Sequence, residues 1–199
     1  MALEATDITV EGLSYPLPRI SRFITKHDSN GDSVFLGDIP ETMAFYNPLE
    51  DSQVPVGFSL GYTTSSFPAP LTDGQDLTDY KGVLANSKSI GTSIHGGTVL
   101  RCINYPPKFE SPMHRTVSLD YGILIDGELD CVLDSGERRS LKPGDITIQR
   151  GTMHAWVNPS PTKWARMYYV LLDAKPVIVQ GNNLAEDLGD LAQHMPSSH

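Results

Sequence analysis

The chain has 199 residues, 39% of them hydrophobic and 20% charged, with a formal net charge of −9 and a pI near 5.0. That length fits one domain with a sizeable core. No apolar run approaches the ~20 residues of a membrane span, and scattered basic residues in an acidic chain exclude the electrostatic footprint of a nucleic-acid binder. The N-terminus "MALEATDITV" lacks the basic start and apolar core of a secretory signal, so a cytoplasmic location is expected.

Seventeen glycines and fifteen prolines cut the chain into short segments rich in Val, Ile, Leu, Thr and Tyr, which predicts an all-β fold. Residues 19 to 37, "RISRFITKHDSNGDSVFLG", read as two strands around an Asn-Gly turn. A calcium loop is set aside there, because the Gly comes too early and the distal Glu is missing. Residues 38 to 96 are the least regular part and are expected to form a lid, a partner contact or a packed surface excursion. Strands are predicted at 97–105, 117–125, 128–134, 145–149 and 164–173. Cys102 and Cys131 fall in strand-like runs without CxxC spacing, so both read as buried, inert thiols. The stretch "SGERR" at 135–139 reads as a solvated hairpin tip. Near the end, "NNLAEDLGDLAQHM" spaces Leu184, Leu188 and Leu191 on one face of a short amphipathic helix. No internal repeat is evident. The organisation expected is one domain with an N-terminal extension at 1–96, a core at 97–180 and a helix and tail at 181–199.

Side chains alternate across a strand with period two. In "HRTVSLDYG" this puts His114, Thr116, Ser118 and Asp120 on one side and Val117, Leu119 and Tyr121 on the other. A polar row on a strand otherwise fit for burial is either a cavity lining or the solvent side of an antiparallel sheet. A second segment, "KPGDITIQRGTMHAWVN" at 142–158, runs turn, strand and turn into His154 and Asn158.

Together the two segments resemble the two cupin motifs: the first ends in "DGEL", and the second reads "PGD", a strand, "RG", then His with Asn four residues later. The resemblance spans about residues 97 to 173, and the wording around both histidines is similar to small cupins of fungal secondary-metabolite (polyketide) pathways. It implies a cupin-type β-barrel, the double-stranded β-helix or jelly roll, extended by N-terminal strands and a short C-terminal helix. Carried over by position, the family's metal-binding residues fall on His114, Thr116, Asp120 and His154. Thr116 therefore lacks the expected imidazole, Asp120 is one methylene shorter than the usual Glu, and the turn before His154 is one residue short.

Two readings of these residues stay open. His114, Asp120 and His154 form a 2-His-1-carboxylate set that would hold one divalent ion, Fe, Zn, Mn or Ni. Alternatively no metal is bound and the three act as acids and bases, with the Asp pKa raised by burial. The first leads to a dioxygenase. The second leads to a lyase or isomerase that dehydrates, decarboxylates, isomerises or cyclises a small polyketide-like molecule: Asp120 or His154 takes a proton beside a carbonyl, and His114 protonates a leaving hydroxyl or enolate. The proton-transfer enzyme is the reading adopted; a metabolite-binding cupin without catalysis is the third possibility. Further candidates for substrate contact are Thr116, Ser118, Arg101, Tyr105, Trp156, Asn158 and Tyr168. Arg166 is a weaker candidate, set against a solvent-facing role. The expected partners are a small-molecule substrate and a second copy in a homodimer, to which residues 8–37 could lend a strand.

Overall fold

A computed structural model describes residues 8–10, 13–49 and 55–198; expectations for residues 1–7 and for 50–54 of the irregular stretch lie outside them. The fold is all-β, and every strand pairing is antiparallel. Two short hairpins come first, β1 (Ile8–Val10) with β2 (Leu13–Tyr15), and β3 (Thr25–His27) with β4 (Ser33–Phe35). The second is the expected hairpin around Asn30-Gly31.

The long strands are β5 (Gly57–Thr64), β6 (Thr98–Tyr105), β7 (Ser118–Asp126) and β12 (Ala165–Asp173). With β10 (Ile146–Arg150) they make a five-stranded sheet in the order β10-β7-β12-β6-β5. A second sheet holds β8 (Leu129–Leu133), β9 (Arg138–Leu141) and β11 (His154–Val157), ordered β11-β8-β9. One hydrophobic cluster joins the two sheets, with Val99, Ile103, Leu124 and Met167 from the first and Leu129, Leu141 and Trp156 from the second. The β7–β8 turn, "DGEL", needs its glycine: Gly127 has φ +75°, and a Cβ there would stand 2.4 Å from the Trp164 carbonyl oxygen.

The five-stranded sheet is buried on its outer face along β6 and β12 too, while β10 and β7 keep theirs exposed at Ile146, Ile148, Tyr121 and Ile125. Ile20, Met43 and Phe45 from the N-terminal segment cover that part, packing with Cys102, Tyr168 and Trp164. Arg166 is 4% exposed. It donates to Asn104 Oδ1 (2.8 Å) and the Pro18 carbonyl (2.8 Å) and lies over the Phe45 ring, so it faces neither solvent nor a substrate. Both cysteines are buried and free. Arg138, expected in a merely solvated tip, donates through Nε to the buried Asp130 carboxylate at 2.8 Å.

The stretch read as least regular contains β5 and an eleven-residue helix, α1 (Gln75–Ala85). Tyr80 of α1 is fully buried and donates to the Gly61 carbonyl, while Asp76 accepts from Tyr62 Oη at 2.6 Å. After a hairpin of β13 (Val177–Val179) and β14 (Asn182–Leu184), the C-terminal helix is a five-residue 3-10 helix at Gly189–Gln193. Leu184 therefore sits in a strand, and the expected helical face loses its first member. Among the described residues no helix is long and apolar enough to cross a membrane.

Candidate active site

A pocket that opens to solvent lies between the two sheets, with about 740 Å³ of empty space counted together with its open mouth. Its walls are mostly apolar, with Val56, Phe58, Ile103 and Leu171 on the five-stranded side and Trp156 opposite. Leu49 and Thr92, from the stretch at 38–96 read as irregular, border it, and so do Leu191 and Met195 of the C-terminal segment. That segment is tied across by Ser198, whose hydroxyl accepts from the Ser93 N–H (3.0 Å) and hydrogen-bonds Thr92.

His114 and His154 meet across a two-residue bridge in which each backbone N–H donates to the other's carbonyl, at 2.8 and 2.9 Å. The bridge sets the rings side by side, 4.4 Å between centroids. Each ring is anchored alike: His114 Nδ1 lies 2.8 Å from the Pro112 carbonyl and His154 Nδ1 lies 2.9 Å from that of Thr152. A carbonyl can only accept, so in each neutral ring Nδ1 holds the proton and Nε2 keeps its lone pair. Burial holds both neutral, and the proximity of His114 adds to the effect on His154, whose pKa falls to about 3.

Asp120 projects from β7 into the same cavity and is 4% exposed. Thr116 donates to its Oδ2 at 3.3 Å, and the Ser118 hydroxyl donates to Thr116 Oγ1 at 2.8 Å. Its Oδ1 has no partner. Burial outweighs the help of the Ser118 and Thr116 hydroxyls and pushes its pKa up to about 6.

All three residues line one cavity, yet the three-ligand set does not assemble. Among the described residues no group of three or more His, Cys, Asp or Glu side chains is placed to hold a metal ion. Two imidazoles with free Nε2 atoms suit a metal, but the shorter Asp120 is engaged with Thr116 instead.

Arg101, Tyr105, Thr116 and Trp156 also line the cavity. Three expected contacts do not. Tyr168 points to the outer cluster because it alternates with the inward Tyr169. Ser118 borders a neighbouring cleft and supports Thr116. Asn158 follows the end of β11 and is spent on backbone, with Nδ2 on the carbonyls of Tyr105, Pro106 and Lys163 and Oδ1 accepting from the Ser160 N–H. Sequence reasoning missed Tyr169, Gln149, Phe109 and Met195. Tyr169 had a signal, since its parity matches Leu171, and its hydroxyl stands 2.7 Å from that of Tyr105.

No family model matches the chain. It is 39% identical over 183 residues to the cupin-domain-containing oxidoreductase fogC of Aspergillus ruber, covering 89% of this chain and 84% of that protein. The chain belongs to the cupin-domain family. This cupin is also 45% identical to oryzines biosynthesis cluster protein J of Aspergillus oryzae, across 87% of its own length and 94% of that protein. Phomopsin biosynthesis cluster protein C' of Diaporthe leptostromiformis is 46% identical, with coverage of 82% and 84%. Among solved structures, a cupin 2 conserved barrel domain protein from Salinispora arenicola is 28% identical at a TM-score of 0.36, covering 39% of this cupin and 64% of that chain.

Proposed function

We propose that this cupin is a tailoring enzyme of fungal secondary metabolism that moves protons on a small, largely apolar, polyketide-like substrate in a dehydration, decarboxylation, isomerisation or cyclisation. The observation that carries this reading is the pair of side-by-side imidazoles, each with Nδ1 committed to a backbone carbonyl, in an apolar cavity that also holds a carboxylate. The biosynthesis-cluster names of two relatives support the metabolic setting.

Each group has a role that follows from its surroundings. The Nε2 lone pairs accept a proton, and because a charge on one ring disfavours a charge on the other, the pair takes up one proton at a time. Asp120, pushed up to about 6, sits near the operating range where a carboxyl group both gives and takes protons. It suits the donor role better than His114, which burial keeps neutral. The Tyr105 and Tyr169 hydroxyls are held protonated by burial; one donates to the other, which leaves a single proton of the pair to bond a substrate oxygen.

The dioxygenase is the second reading, favoured by the word oxidoreductase in the name of fogC; it requires Asp120 to leave Thr116 and join the imidazoles. Elemental analysis of untagged, chelator-free protein beside a His154→Ala control, followed by incubation of ketide substrates in D2O with an oxygen electrode, separates the two. Solvent deuterium entering the substrate without oxygen uptake, and lost in His154→Ala and Asp120→Asn, is the expected result. Stoichiometric iron that vanishes in the control, with chelator-sensitive oxygen uptake, would replace this reading by the second.

A further inference from the structure

We infer that Arg101 is an anion subsite of the cavity, which selects substrates bearing a carboxylate. The inference rests on the cavity being the substrate site and adds the chemical class that it takes. Arg101 is 3% exposed and points inward from β6, in phase with Ile103 and Tyr105. Among the described residues it is the only Lys or Arg side chain lining the cavity.

Its partners leave its charge unanswered. One terminal nitrogen donates to Tyr46 Oη at 3.3 Å and the other to the Gly91 carbonyl. Tyr46 in turn donates its own proton to the Ser87 carbonyl at 3.2 Å, so it answers the guanidinium only as a neutral acceptor. The Nε–H is buried without a partner, and none of the ion pairs among the described residues includes Arg101. Among the described residues the one carboxylate lining the cavity, Asp120, accepts from Thr116.

The other buried arginine, Arg166, also keeps one terminal nitrogen without a partner, but its contacts with Asn104, the Pro18 carbonyl and the Phe45 ring hold it away from the cavity. A guanidinium is always charged, and its fork of N–H groups matches a carboxylate in a bidentate geometry. Taking that charge out of water without an anion is costly, and a cavity-facing position lets a ligand provide the anion. Arg101 therefore acts as a specificity-determining residue, with the imidazoles and Asp120 left free for chemistry.

The test is isothermal titration of 2-naphthoate and its neutral isostere 2-naphthamide into the wild type, Arg101→Met and Arg101→Lys at pH 8. Wild type is expected to bind the carboxylate about 10- to 100-fold more tightly than the amide. Arg101→Met should bring the two within about 2-fold by weakening the carboxylate far more than the amide. Arg101→Lys, which keeps the charge without the fork, should retain part of the gap. Equal affinities in wild type, or a gap that survives Arg101→Met, would overturn the subsite while leaving the cavity as the binding site. If neither probe binds, the cavity reading fails and the subsite with it. Should Arg101→Met not fold by circular dichroism, Arg101→Lys decides: a gap reduced at least about 3-fold supports the subsite, and an unchanged gap overturns it.

Discussion

Asp120 and His154 respond to pH in opposite ways because one is buried in a site that disfavours its anion and the other in a site that disfavours its cation. The folded state raises Asp120 from 3.8 to about 6, so its contribution is fully present below pH 3.8 and is lost as pH rises through 6. His154 falls from 6.5 to about 3, so its contribution is present above pH 6.5 and is lost as pH drops toward 3. Asp120→Asn removes the first effect and keeps the second. Chemical denaturation should show the variant close to wild type at pH 4 and more stable at pH 8, by an amount on the order of 2–3 kcal/mol at most. A variant that gains nothing on wild type between pH 4 and pH 8 would mean that Asp120 is not desolvated in the folded protein.

At the scale of elements, the β11–β12 connection depends on a side chain first expected to touch substrate. Asn158 is 1% exposed, and its amide joins the end of β6 to the loop before β12. Asn158→Ala strands buried carbonyls and an N–H, so urea denaturation should show a loss of about 2–4 kcal/mol, with the carboxylate preference of the folded fraction unchanged. The same elements show where sequence is informative. The phase of β7 was legible because Thr116 and Asp120 alternate with apolar Val117 and Leu119. The phase of β12 was not: Ile20, Met43 and Phe45 cover its outer face, so Tyr168 and Tyr169 are both packed and alternation carries no polarity signal. Helix α1 escaped notice for a different reason. It fully buries only Asp76 and Tyr80, and its stripe of Leu77, Tyr80, Val83 and Leu84, which packs on the core, is short and lies among the prolines and glycines that made the stretch read as irregular. The C-terminal leucines had helical spacing, but Leu184 pairs with Val177 in a hairpin instead. The two histidines were legible as a motif, whereas their meeting across the 114–154 bridge depends on two chain segments that no local pattern relates.

Over the whole molecule, an exposed apolar surface lies at one edge of the five-stranded sheet. Strand β10 ends the five-stranded sheet, and its outward face carries Ile146 and Ile148, 64% and 47% exposed, beside Tyr121 and Ile125 of β7 at 40% and 46%. An apolar row on a terminal strand is a ready template for antiparallel pairing with its own copy about a two-fold axis. We propose that a second copy of the chain covers it. Sedimentation equilibrium should give twice 21.8 kDa for the wild type and a single-chain mass for Ile146→Glu/Ile148→Glu, whereas a wild type that sediments as a single chain at every concentration would sink the proposal. The placement of the two tryptophans has a practical use. Trp156 forms edge-to-face contacts with His154 and Tyr169 inside the cavity, while Trp164 packs on the far side of the sheet. The molecule thus carries one chromophore at the site and one remote from it, so that in a Trp164→Phe background the emission wavelength becomes an optical gauge of whether the cavity is wet, empty or filled.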